Sequence, residues 1–304
     1  MDLKILVADK IHEDGLNLLK EIGEVEVATG LKPEQLIEKV KGFDVLIVRS
    51  ATQVTREVIS AGRQLKFIAR AGVGLDNIDV RAAEDRNIKV LNAPEAPTIS
   101  VAELVLGLVL SFARKLPQAD LGMKQGRWEK KQLMGTELRG KTFGIIGTGK
   151  IGQAVAERAK AFEMKLLLYD VVKNLDFAKG IGSRYVDLDT LVKDSDYITI
   201  HVPLIPQTTH MVGAREISMM KKTAVIINTS RGGVVDEAAL VKALEEKRLA
   251  GACLDVFEKE PPESSPLLKF QNVVLTPHIG ASTEEAQAYA AVVIAQKLKN
   301  EMRK

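Results

Sequence analysis

The chain has 304 residues, 46% hydrophobic and 27% charged, with 43 basic and 40 acidic side chains and a net charge of +3. This length suits two domains rather than one core, and the composition is that of a folded globular chain. Charges of both signs are interspersed, so nucleic acid and membrane surfaces are not expected partners, and the single cysteine, Cys253, permits neither an intrachain disulfide nor a clustered-thiol metal site.

The N-terminal half alternates strand and helix. Leu3 to Ala8 is an apolar run without the long core of a secretory leader, and Leu16, Leu19 and Ile22 then fall at helical spacing. Val25 to Val27, Val45 to Val48, Phe67 to Ala69 and Val90 to Leu91 read as further strands, with a helical face at Leu36, Ile37 and Val40 between the first two. Such alternation predicts a parallel sheet covered on both faces. Pro94 and Pro97 break the pattern. A long apolar helix is expected next, N-capped by Ser100 with Glu103 completing a capping box. Its apolar stretch, Leu104 to Ala113, falls well short of the ~20 residues that span a bilayer, and the chain is expected to be cytoplasmic.

A second alternating series follows Gly140, with strands at Thr142 to Ile146, Leu166 to Tyr169, Tyr197 to His201, Ala224 to Asn228, Gly251 to Val256 and Val273 to Thr276. Six strands with intervening helices predict a doubly wound nucleotide-binding domain. A last helix, Thr283 to about Lys299, is expected to return to the first domain. The fold class is therefore α/β, with residues 98–278 forming a Rossmann domain inserted in a substrate domain of residues 1–97 and 279–304. The chemistry is expected in the cleft between them.

Gly147-Thr148-Gly149-Lys150-Ile151-Gly152 is a dinucleotide fingerprint in its proper setting. It follows an apolar strand, opens a helix, and is answered by Asp170 at the end of the next strand, 18 residues beyond Gly152. Such an aspartate accepts a ribose 2′-hydroxyl and repels a 2′-phosphate, so NAD is the expected cofactor. Asp255, at another strand end, is a candidate for the nicotinamide region. His201 and Pro203 are candidates for lining the cofactor cleft.

Moving a hydride from an alcohol carbon requires a group that takes the hydroxyl proton near neutral pH. Of the four histidines, His278 in TPHIG stands at the end of the sixth strand, where the chain crosses between domains. It is the best base; His12 and His210 read as structural. A carboxylate should orient its ring, and Glu258, Glu260 and Glu263 compete for that place on spacing alone. Arg231, after another strand end, has a guanidinium fork suited to a substrate carboxylate.

Taken together, GTGKIG with Asp170, NTSRGGVVDE, DVFEKEPP, TPHIG and RAGVGLDNID resemble, in order and spacing, the D-isomer-specific 2-hydroxyacid dehydrogenases over essentially the whole chain. The resemblance implies a flavodoxin-like substrate domain around the Rossmann domain. It also implies Arg231 as the substrate-binding arginine, Glu260 as the partner carboxylate, and His278 as the acid–base residue. Lys150, Ile151, Asp170, Thr229, Ser230, Arg231, Asp255, and His278, Ile279, Gly280 and Ala281 fall on the family's NAD contacts. RSATQVT and RAGVGLDNID resemble the loops of members that oxidise D-3-phosphoglycerate to 3-phosphohydroxypyruvate at the start of serine biosynthesis. Arg49, Ser50, Arg70 and Gly72 then become substrate-binding candidates.

Glyoxylate or hydroxypyruvate reduction, D-lactate-type chemistry and a non-enzymatic NAD-sensing corepressor are the alternatives. Pro97 stands where many members carry asparagine, so one substrate contact is expected to be missing or moved. The chain is expected to be a short form lacking the C-terminal regulatory domain of longer relatives. The apolar helix and Trp128 predict a homodimer built around the nucleotide domain.

Overall fold

The computed structural model describes residues 3–302. Two compact units lie within it: one within Met1–Ser100 and Ala281–Lys304, the other Val101–Gly280.

The first unit carries strands β1 (Leu3–Val7), β2 (Gly23–Val27), β3 (Val45–Val48), β4 (Phe67–Arg70) and β5 (Lys89–Asn92). They form a parallel sheet in the order β2-β1-β3-β4-β5, the flavodoxin-like arrangement. Side chains on a strand alternate between faces, and both faces are buried here. Ile5, Val7, Val45 and Ile47 join one apolar cluster, and Leu6, Leu46 and Val48 the other. The helix Glu284–Glu301 contributes Ala290, Ala291, Ile294 and Leu298 to the first cluster.

The second unit carries β6 (Thr142–Ile146), β7 (Lys165–Tyr169), β8 (Arg184–Tyr185), β9 (Tyr197–Ile200), β10 (Val225–Asn228), β11 (Gly251–Leu254) and β12 (Val273–Leu275). Their order, β12-β11-β10-β9-β6-β7-β8, is that of a Rossmann sheet with one strand more than the six expected. The addition, β8, is two residues long, too short for a periodic signal. Phe143, Ile145, Val225 and Ile227 face one core and Ile146, Ile198 and Ile226 the other. Cys253 is buried in the first of these, where desolvation pushes its thiol pKa up.

The expected cap at Ser100 is corrected. The helix runs Thr98–Ala113, so Ser100 lies within its first turn and its hydroxyl stands 2.7 Å from Thr283 Oγ1. Glu103 completes no capping box; it accepts a hydrogen bond from Arg158 at 3.2 Å. The tight turn before the helix, where Thr98 Oγ1 donates to the Glu95 carbonyl at 2.9 Å, starts the helix earlier than the pattern suggests. Among the described residues no helix is long and apolar enough to cross a membrane.

Candidate active site

The parallel strands of the second unit end along one edge, and the candidate residues are gathered there. Gly147 follows β6, Asp170 follows β7, His201 follows β9, Thr229 to Arg231 follow β10, Asp255 follows β11 and His278 follows β12. β6 and β9 are adjacent, and the strand order reverses between them, the place where such sheets take ligands.

The glycine turn is shaped by close approach. Gly147 adopts φ +90° and donates its amide to the Tyr169 carbonyl at 2.8 Å. A side chain at Gly152 would meet the Gly147 carbonyl oxygen at 2.0 Å, so only glycine lets the helix Lys150–Ala161 start so near the turn. At Gly149, by contrast, a Cβ would meet nothing within 4 Å, which leaves the backbone open to a ligand. Lys150 is exposed and Ile151 half-buried in the first turn of that helix. Asp170 closes the turn: Oδ2 accepts from the Thr148 amide at 2.6 Å and hydroxyl at 3.1 Å, and Oδ1 from the Val172 amide at 3.0 Å.

After β10, Asn228 builds the turn that carries Arg231. Its Oδ1 accepts from the Ser230 amide at 3.0 Å and hydroxyl at 2.9 Å, and its Nδ2 donates to the Arg231 carbonyl at 2.9 Å. Arg231 Nη1 donates to the Ser230 carbonyl at 2.7 Å. The Thr229 hydroxyl is buried without a partner among the described residues, an orphan of the kind a bound ligand satisfies. His201 Nε2 stands 2.9 Å from Thr199 Oγ1, and burial lowers its pKa to about 3. Its ring is therefore uncharged at neutral pH and unsuited to proton exchange there. Pro203 is exposed in the segment that follows.

The acid–base candidates meet directly. His278 Nδ1 is 2.7 Å from Glu260 Oε2, while Glu260 Oε1 accepts from the Phe257 amide at 3.1 Å. Glu258 is engaged elsewhere: its Oε1 is 3.0 Å from His210 Nε2 and accepts from the Glu237 amide at 3.1 Å. Asp255 is fully buried. Its Oδ1 accepts from Thr276 Oγ1 at 2.5 Å and the Ile279 amide at 2.8 Å, and its Oδ2 from the Gly280 amide at 2.8 Å. The Asp255 carbonyl accepts the His278 amide at 2.8 Å. This aspartate holds the turn on which His278 sits at φ +52°, a backbone conformation that persists only when its surroundings impose it. Asn228 and this role of Asp255 escaped the sequence reading, because their partners are backbone groups brought near only by the fold. Ala281 opens the segment belonging to the first unit.

On the first unit, Arg49 and Arg70 stand at the ends of the paired strands β3 and β4. Asp9 and Asn77 frame the Arg49 loop. Asp9 Oδ2 accepts the Arg49 amide at 2.6 Å, and Asn77 Nδ2 donates to the Arg49 carbonyl at 2.9 Å. Arg49 Nη1 reaches the Lys10 carbonyl at 3.3 Å and Gln287 Oε1 at 3.4 Å, and Ser50 is exposed beside it. Arg70 is largely buried, its Nη1 donating to the Gly74 carbonyl, and the Gly72 amide donates to the Arg70 carbonyl at 2.9 Å.

The donor and acceptor set fits a dinucleotide: open backbone at Gly149, an orphaned hydroxyl at Thr229, and an aspartate after β7. Comparison with known proteins agrees. Residues 106–280 match the family model described as D-isomer specific 2-hydroxyacid dehydrogenase, NAD binding domain. The D-3-phosphoglycerate dehydrogenase of Methanocaldococcus jannaschii is 53% identical over 302 residues, which cover 99% of this chain and 58% of that enzyme. The chain thus spans little more than half the length of that relative. The hydroxypyruvate reductase of Thermotoga maritima is 47% identical over 98% of both chains. Among solved structures, D-lactate dehydrogenase from Aquifex aeolicus, complexed with NAD and lactic acid, superposes with a TM-score of 0.85 at 31% identity, covering 98% of this chain and 95% of that one.

Proposed function

The chain belongs to the D-isomer-specific 2-hydroxyacid dehydrogenases, and from that premise we propose that it oxidises D-3-phosphoglycerate to 3-phosphohydroxypyruvate with NAD, the entry to serine biosynthesis. The observation that carries this reading is the 2.7 Å contact between His278 Nδ1 and Glu260 Oε2. A carboxylate only accepts, so Nδ1 carries the proton, and Nε2 of the neutral ring presents its lone pair. Nε2 has no hydrogen-bond partner among the described residues and His278 is exposed, so the lone pair is available to a substrate hydroxyl.

NAD, which the glycine turn, Thr229 and Asp170 would hold, would supply the acceptor for the hydride that leaves carbon 2 of the substrate. His278 Nε2 takes the hydroxyl proton, and Glu260 stabilises the imidazolium that results. Arg231 holds the substrate carboxylate by its two-pronged guanidinium. On the first unit, Arg49 and Arg70 supply the cations that a doubly charged phosphate calls for.

The identity to the Thermotoga maritima enzyme over nearly the whole of both chains favours a second reading, hydroxypyruvate reduction, in which the same groups run in reverse and His278 gives the proton back. Steady-state rates with 3-phosphoglycerate, hydroxypyruvate and D-lactate separate the two. Replacing His278 by Asn lowers turnover by about 10²- to 10⁴-fold with NADH binding retained. Wild-type turnover in that variant rejects the mechanism, and absence of turnover with every hydroxy acid, alongside tight NADH uptake, rejects the enzymatic reading.

The second unit also exposes the large apolar side chains Trp128 (79%), Met134 (78%), Met123 and Leu121, and their exposure supports a homodimer formed through the nucleotide domain.

A further inference from the structure

Tyr185, in the two-residue strand β8, belongs to none of the motifs above, yet its hydroxyl joins three segments of the cofactor site. It lies 2.7 Å from Thr148 Oγ1 in the glycine turn and 3.0 Å from the backbone nitrogen of Asn174 in the segment after Asp170. Thr148 Oγ1 in turn lies 3.1 Å from Asp170 Oδ2.

Counting protons gives the chain a direction. The Asn174 amide can only donate, so the phenol oxygen accepts there. The Asp170 oxygen accepts, so the single Thr148 hydroxyl proton points to it. The phenol proton must then go to Thr148. The order is Asn174 N–H to Tyr185 O–H to Thr148 O–H to Asp170, with each donor satisfied. Aligned hydroxyls of this kind polarise one another toward the carboxylate.

Two consequences bear on the cofactor. Oδ2 of Asp170 is taken by the Thr148 amide and hydroxyl, which leaves Oδ1, with the Val172 amide as its one donor, as the oxygen with capacity for a ribose hydroxyl. The relay also ties down the segment 170–174, which carries the exposed Val171 and Val172 together with Lys173. An aspartate rejects a 2′-phosphate only while it stays at the ribose position, and a cation nearby favours that phosphate once the aspartate moves.

We infer that Tyr185 is a positioning residue for Asp170 and, acting through Thr148, sets the preference for NAD(H) over NADP(H). The inference rests on the reading that Asp170 meets the ribose. Its test is the dissociation constants of NADH and NADPH, taken from nucleotide fluorescence titrations of the wild type, Tyr185→Phe, Thr148→Val and Thr148→Ser. Tyr185→Phe and Thr148→Val weaken NADH by about 3- to 10-fold, the effect of one hydrogen bond, while NADPH holds or tightens, so the ratio of the two constants falls by that factor or more. Thr148→Ser, which keeps the hydroxyl, keeps the wild-type ratio. A wild-type ratio in both Tyr185→Phe and Thr148→Val overturns the inference, as does equal weakening of both nucleotides, which marks a purely structural role. A wild-type chain that takes up neither nucleotide overturns the cofactor reading itself and the relay with it.

Discussion

Gly232 and Phe257 meet backbone to backbone: a Cβ on Gly232 would stand 1.9 Å from the Phe257 carbonyl carbon and 2.1 Å from its oxygen. Gly232 follows Arg231, and Phe257 begins the loop that ends in Glu260, so this contact joins the proposed substrate clamp to the partner of the proposed base. Both sides are backbone, which has little freedom to yield.

Gly232→Ala is therefore expected to separate the two loops. Overpacking of this kind costs about 1–3 kcal/mol, and displacing a positioned group by an ångström costs about 10²-fold in rate. Thermal denaturation and kcat/KM measured on the same preparation check this. Wild-type values of both would mean the loops are not coupled through the contact.

Asp255→Asn is expected to lower stability by about 1–3 kcal/mol, because one of its two side-chain positions must then turn an NH2 toward a group that already donates. With the turn loosened, His278 loses its orientation, and kcat falls at least tenfold while NADH binding is little changed. The opposite pattern, NADH weakened at unchanged kcat, would make Asp255 a direct cofactor contact, as its place in the motif first suggests.

The protein is expected to lose stability with acid through His201. Its folded pKa is about 3 against an ordinary value of 6.5. Above the ordinary value neither state is protonated and the contribution is complete. As the pH falls below it, the unfolded chain takes up a proton that the folded ring refuses until about pH 3. The loss by pH 5 is about 2 kcal/mol. Urea denaturation of wild type and His201→Gln at pH 7 and pH 5 measures it, the variant being less pH-dependent by that amount. Equal dependence would show the ring to be solvated.

Trp128→Glu places a charge at the most exposed aromatic side chain of the second unit. With Trp128 in the proposed dimer contact, light scattering reads twice 33.2 kDa for the wild type and a mass shifted toward 33.2 kDa for the variant. A wild-type mass of one chain would remove the contact from consideration.

Much of the fold is legible in the sequence because buried parallel strands repeat their chemistry locally. The run LKILV announces β1, and the spacing of GTGKIG to Asp170 announces the turn after β6. Local pattern is less informative at the ends of elements and for very short ones. The turn at residues 95–98 starts the helix at Thr98, ahead of its expected Ser100 cap, and β8 is too short to register.

The residue types of the candidate site, an arginine, a histidine, several glutamates and a glycine turn, were thus determined by sequence alone, since each motif is contiguous and its chemistry follows from composition and spacing. Spacing alone did not decide which glutamate the histidine meets; the family resemblance implied Glu260, and the tertiary structure makes the contact. From spacing, Glu258, Glu260 and Glu263 are equivalent; in space, Glu258 turns to His210 and Glu237, and Glu260 to His278. The assignment of Asp255 to the His278 turn and of Tyr185 to Asp170 is of the same kind. Hydrogen bonds act over about 3 Å, and only folding brings groups far apart in the chain within that reach.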